Sequence, residues 1–126
     1  MIILISAVLS TTAVAAESRA STYFSDYDAS VSTSSSGTVT IRFDVTGMSS
    51  ITQIGALSIS LYKADGTYVK TFNSSTYTNM LASGTGSHSS SVIHLGEAGQ
   101  SYYAVVTFYA KNSSGSDTVT YTTNVG

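Results

Sequence analysis

A long alternation of apolar and polar positions runs from Ser101 to Asn112 (SYYAVVTFYAKN). Read with a period of two, Tyr102, Ala104, Val106, Phe108 and Ala110 share one face, and Tyr103, Val105, Thr107, Tyr109 and Lys111 share the other. The first set is apolar apart from one phenol, while the second mixes aromatic, hydroxyl and charged groups. Aromatic and β-branched residues suit a pleated surface, so the pattern predicts a strand with one face in a core and one in water. A strand of this length is predicted to be central, because a long exposed edge invites pairing with other chains.

The rest of the chain reads as strands of the same kind. Ser21 to Thr33 is polar, with Tyr23, Tyr27, Ala29 and Val31 on one parity, and Thr33 to Gly37 is a loop by composition. Thr38 to Thr46 alternates cleanly, with Val39, Ile41, Phe43 and Val45 on one side and Thr40, Arg42 and Asp44 on the other. Gly47 to Gly55 carries Met48, Ile51 and Ile54 and is expected to be a connection that caps the core. Leu57, Ile59 and Leu61 then alternate with Ser58, Ser60 and Tyr62, and Asp65-Gly66 leads into Tyr68 to Phe72. Asp-Gly tolerates the positive φ of a tight turn, which makes this the clearest hairpin in the chain. Asn73 to Gly86 holds Tyr77, Met80 and Leu81 and is read either as a short edge strand or as a single helical turn. Ser87 to Leu95 is read as a strand with Ile93 and Leu95 inward and His88, Val92 and His94 outward. Gly96 and Gly99 flank the corner that follows, Asn112 to Ser116 is a turn, and Thr118 to Thr123 closes the sheet with Val119 and Tyr121 on one face.

Neither an apolar repeat at helical spacing nor an internal repeat occurs, and the chain has no proline. About seven short strands separated by regular turns predict an all-β fold, a single antiparallel β-sandwich. A length of 126 residues accommodates one such domain. Of these, 25 are Ser and 18 are Thr, while only 12 are charged and the net charge is −2. That balance argues against nucleic acid, which needs a basic footprint. Low charge with 42% hydrophobic residues argues equally against disorder. The absence of Cys excludes disulfides and thiolate chemistry, so core packing alone must hold the domain together.

Residues 1–16 (MIILISAVLSTTAVAA) stand apart. The apolar run Ile2 to Leu9, followed by small residues ending in Ala13-Val14-Ala15-Ala16, matches a secretory signal peptide with an A-x-A cleavage site. The run is too short to span a bilayer, which takes about 20 residues. No Lys or Arg precedes it, so either translation starts upstream of Met1 or the signal is atypical; a buried first strand is the alternative. The expected mature chain is a β-sandwich domain over 17–126, extracellular and without a membrane span.

Two resemblances add to this reading. The stretch Gly37 to Val45 (GTVTIRFDV) resembles the second strand of fibronectin type III domains, with Phe43 where those usually carry Trp. Leu95 to Val105 (LGEAGQSYYAV) resembles their corner before strand F, with a Leu, a Gly and then a Tyr three residues after that Gly. The match covers about Gly37 to Thr122 and implies that Tyr102 is a corner tyrosine, its hydroxyl bonded to backbone between Leu95 and Gly99. The missing Trp and prolines depart from that family, so an immunoglobulin-like sandwich of another lineage is equally allowed. The whole chain also resembles small, secreted, uncharacterised proteins of anaerobic Gram-positive bacteria. Arg19-Ala20-Ser21, Ile54-Gly55-Ala56 and Tyr102 to Thr118 carry that similarity, which implies secretion and no known activity.

Candidate chemistry is sparse. No nucleophile elbow, S-x-x-K, H-E-x-x-H, P-loop or dinucleotide fingerprint occurs, and Ser is too abundant for its presence to point to catalysis. His88 and His94 lie six strand residues apart, about 20 Å, too far to bind one ion together. They are therefore read as solvent-facing side chains. Asp26 and Asp28 share a face and would suit calcium, but further oxygen ligands are missing nearby. Asn73-Ser74-Ser75 and Asn112-Ser113-Ser114 match the glycosylation sequon, as chance allows in so Ser-rich a chain. No metal or cofactor is expected.

What remains is surface. With Phe43, Tyr102 and Phe108 committed to the interior, Tyr103 and Tyr109 point outward, joined across the sheet by Tyr62 and Tyr68 and flanked by Lys111. Tyrosines among hydroxyls suit a face that stacks on sugar rings or docks a protein. The plainer reading is that tyrosines are good strand formers whose cross-strand pairs stabilise a sheet by about 0.2–1 kcal/mol each. Three functions are thus open: a secreted, non-catalytic sandwich binding a glycan or cell-surface protein; a structural or weakly self-associating protein pairing edge strands; and a small hydrolase. The first is expected, as a monomer or weak self-associate.

Overall fold

Period-two alternation becomes eight antiparallel strands in the structure, a computed structural model that describes residues 23–126. The expected signal peptide over 1–16, and the predicted strand start at Ser21, lie outside the described residues. The strands are β1 (Phe24–Thr33), β2 (Thr38–Gly47), β3 (Gln53–Lys63), β4 (Tyr68–Asn73), β5 (Leu81–Ser83), β6 (Ser87–Leu95), β7 (Tyr102–Asn112) and β8 (Gly115–Thr122). A single 3-10 turn, Thr78–Met80, precedes β5. The segment Asn73 to Gly86 therefore contains both a helical turn and a short strand.

Two sheets form, one ordered β1-β2-β6 and one ordered β4-β3-β7-β8, with β5 also paired to β3. One apolar core lies between them, an arrangement compatible with a β-sandwich. Ala29, Val31, Val39, Ile41, Phe43, Val45 and Val92 supply it from the three-stranded sheet. Ile59, Leu61, Phe72, Tyr102, Ala104, Val106, Phe108 and Ala110 supply it from the other. The rings of Phe43 and Phe108 meet edge to face across the layers, centroids 6.1 Å apart. β7 is central as its alternation predicts, with β3 on one side and β8 on the other.

Tyr102 is buried, and its hydroxyl accepts a hydrogen bond from the Glu97 N–H at 2.9 Å, within the stretch where a corner tyrosine bonds. The C-terminal residue extends the pairing at the start of β7: Gly126 N–H donates to Tyr102 O and Tyr102 N–H to Gly126 O, at 2.8 and 3.0 Å. The Asp65-Gly66 hairpin forms, with Gly66 at φ 96° and the Asp65 carboxylate accepting from the Thr67 N–H.

Three expectations need correction. In β6 the faces are reversed: Val92 is buried, whereas Ile93 and Leu95 are 58% and 80% exposed. The register with β2 sets this, placing Val92 opposite Ile41, His94 opposite Val39 and His88 opposite Val45, all on the core side. Directly opposed residues share a face, and a slip of one residue would exchange every side chain. In β3 the strand starts earlier, at Gln53, so Ile54 belongs to a strand rather than a capping loop. An irregularity between Ala56 and Ser58 puts Ala56 and Ile59 in the core and leaves Leu57 only half-buried. It falls where β3 changes neighbours, from β5 at residues 53–55 to β4 at residues 58–62. In β1 a register shift between Phe24 and Asp26 brings Phe24 into the core, where the alternation alone gives Tyr23, Tyr27, Ala29 and Val31.

Candidate functional site

The outer face of the five-stranded sheet carries the tyrosines. Tyr62 on β3 and Tyr103 on β7 lie directly opposite in register, and their rings stack at 5.2 Å with planes 12° apart. Tyr68, the first residue of β4, meets Tyr62 edge to face at 5.8 Å. These three rings form one continuous ledge, and Tyr68 at its rim is 57% exposed. The Tyr68 hydroxyl lies 2.7 Å from Thr71 Oγ1, which lies 3.0 Å from Ser60 Oγ. A row of exchangeable hydroxyl donors and acceptors thus borders the apolar ledge. Beyond it, the Lys63 ammonium pairs with the Glu97 carboxylate at 3.3 Å, an exposed pair of small energetic weight.

Tyr109 and Lys111 are on the same face but at its far end. Tyr109 lies opposite Gly55 and Thr118, and Lys111 opposite Gln53 and Ser116. Six strand residues separate Tyr103 from Tyr109, about 20 Å. The structure brings Tyr62, Tyr68 and Tyr103 together and leaves Tyr109 and Lys111 apart from them. Strand alternation shows which face a residue takes; the pairing partner that makes a cluster comes from the register.

The histidines read as solvent-facing turn inward at the rim of the core. His88 Nε2 donates to the Asn79 carbonyl at 2.6 Å and its ring contacts Phe43 at 5.8 Å. Asp28 accepts a hydrogen bond from the Tyr121 hydroxyl at 2.9 Å. Among the described residues no three His, Asp or Glu side chains are placed to share an ion.

A second surface was not singled out by sequence reasoning. The outer face of the three-stranded sheet forms a shallow groove of about 370 Å³, where Arg42 and Asp44 lie between Asp28 and Ser30 of β1 and Ser89 and Ser91 of β6. Alternation already put Arg42 and Asp44 outward, but their neighbours are fixed only by the pairing of three separate strands. Ser89 Oγ donates to Asp44 at 2.6 Å, and no histidine lines the groove, since His88 points to the opposite face. The Ser89–Asp44 pair is a cross-strand hydrogen bond of the ordinary kind.

In comparisons with known proteins, no family model, no curated sequence and no solved structure matches the chain.

Proposed function

We propose that the protein is a secreted, non-catalytic β-sandwich that binds an extracellular glycan on the ledge formed by Tyr62, Tyr68 and Tyr103. The observation that carries this reading is the Tyr62–Tyr103 stack bordered by the Ser60, Thr71 and Tyr68 hydroxyls. Clustered aromatic rings beside a row of hydroxyls suit a sugar, which offers an apolar ring face and a polar edge. Secretion is supported by the apolar run and A-x-A pattern of residues 1–16.

Two observations support a fibronectin type III or immunoglobulin-like form of the sandwich. Tyr102 stands at the start of the strand after a corner, and its hydroxyl returns to backbone five residues upstream, as in a tyrosine corner. β5 pairs with β3 instead of extending the β1-β2-β6 sheet, which departs from the immunoglobulin constant-type order and favours the fibronectin-like one.

A glycan array probed with the secreted chain and with a Tyr62→Ala/Tyr103→Ala double variant tests the function. Signal for the natural chain that disappears in the folded variant supports it. A blank array for the natural chain rejects the glycan, and a pull-down with cell-surface proteins then tests the remaining class of ligand.

A further inference from the structure

The sheet edges of this molecule are not equally protected. β4 is six residues long and carries Lys70; β8 carries Asp117; β1 carries Asp26, Asp28 and a register shift. Short length, charge and bulges are the usual devices that stop an edge from pairing with another chain. β6 has none of them: its nine residues include no Lys, Arg, Asp, Glu or Pro, and its register with β2 is unbroken.

The backbone shows which groups face the free side. Gly86 O and Gly96 N bond toward β2, so even-numbered residues of β6 pair inward and odd-numbered ones point their N–H and C=O outward. Midway along, the edge is occupied: Asn79 Nδ2 donates to Ser91 O at 3.0 Å and to Ser90 Oγ at 2.8 Å. Past Asn79, no strand lies along Ile93 and Leu95 among the described residues. Both project onto the outer face, 58% and 80% exposed.

We propose that this open end of β6 is a self-recognition edge, through which two copies of the chain pair antiparallel about a two-fold axis at His94. Ile93 then lies opposite Leu95 of the second copy, and Leu95 opposite Ile93. These are hydrogen-bonded positions, so the two pairs close four N–H···O bonds. The four apolar side chains adjoin on one face, and a copy of β6 brings no charge to oppose. A second copy fits better than the chain's own residues 17–22, which follow the expected cleavage site, because β1 begins opposite Gly47, at the Ser87 end of β6. That is about 25 Å from Leu95, and six extended residues reach only about 20 Å. Asn79 stops the ladder at Ser91, so the contact falls below the about 1,200 Å² of a stable interface and the dimer is weak and concentration-dependent. The proposal involves the sheet that lacks the tyrosine ledge, and the Tyr62→Ala/Tyr103→Ala variant leaves it intact.

Sedimentation equilibrium of the secreted chain from micromolar to millimolar concentration tests it. The mass should rise toward that of a dimer, and Ile93→Lys and Leu95→Lys should each weaken association at least tenfold while keeping the melting midpoint near that of the natural chain. Because the chain has no Cys, a single thiol reports the register: His94→Cys should cross-link to its copy on mild oxidation and Ser89→Cys should not. A chain monomeric at every concentration overturns the proposal. So do lysine variants that both associate within twofold of the natural chain, or Ser89→Cys linking as readily as His94→Cys.

Discussion

No side chain fits at Gly96, because a Cβ there would lie 2.5 Å from the hydroxyl oxygen of Tyr102. The corner between β6 and β7 is thus built around one phenol, which the Glu97 N–H anchors and the Gly96 backbone closely approaches. Tyr102→Phe removes the acceptor and should destabilise the domain by about 1–3 kcal/mol. Gly96→Ala should also destabilise it, since it drives a methyl group into the hydroxyl. The two changes should couple: with the hydroxyl gone, the alanine meets less obstruction, and the double variant should lose less than the sum. Urea melts of the four proteins check this, and strict additivity would contradict the close approach.

Phe43 and Phe108 make a cross-layer ring contact, and they are 3% and 0% exposed. Each change to Ala should destabilise by about 3–5 kcal/mol, the usual range for a buried Phe. In a domain stable by about 5–15 kcal/mol, either can approach global unfolding at ambient temperature. Because the rings touch, the double variant should again be non-additive in denaturant melts.

The Asp65 carboxyl titrates below the ordinary aspartate value of 3.8, held down first by its hydrogen bonds with Thr67 and less by the Lys63 charge. A depressed folded value means the carboxylate favours the fold above the unfolded value, and that contribution fades as pH falls through the folded one. NMR titration of the Asp65 carboxyl should give a midpoint below 3.8, moving up toward it in Thr67→Ala, which deletes the hydroxyl but keeps the backbone N–H.

Much of this fold is legible in the sequence where hydrophobicity and period agree. β7 and β2 show it, since every inward residue they were assigned is buried. The alternation fails at β6, where Val92 and Ile93 are adjacent and apolar, one on each parity. At such an edge strand, pairing with β2 decides the face, and that partner is more than forty residues away in sequence. The bulge in β3 was hidden for a related reason: it answers a change of neighbour that no local pattern encodes. The same limit applies to the tyrosines. Their common face follows from alternation, while the gap between Tyr109 and the stacked trio follows from register.

That gap gives the sharpest functional prediction. If the ledge is the binding surface, the three clustered rings matter and Tyr109 does not, although all four residues share a sheet face. Tyr68 is the informative member, being the most exposed of the cluster and tethered through its hydroxyl to Thr71. Tyr68→Ala should shift the melting midpoint little, since an exposed strand residue contributes mainly through its cross-strand pair, about 0.2–1 kcal/mol. It should nevertheless lower glycan affinity by tenfold or more, because aromatic anchors dominate such contacts. Tyr109→Ala and Lys111→Ala should leave affinity unchanged within twofold, lying about 20 Å from the ledge. Titration of each variant against a glycan found on the array measures all three. Equal losses for Tyr68→Ala and Tyr109→Ala would mean a ligand long enough to span the sheet, and a loss for Tyr109→Ala alone would move the site to the Gly55 end of the face.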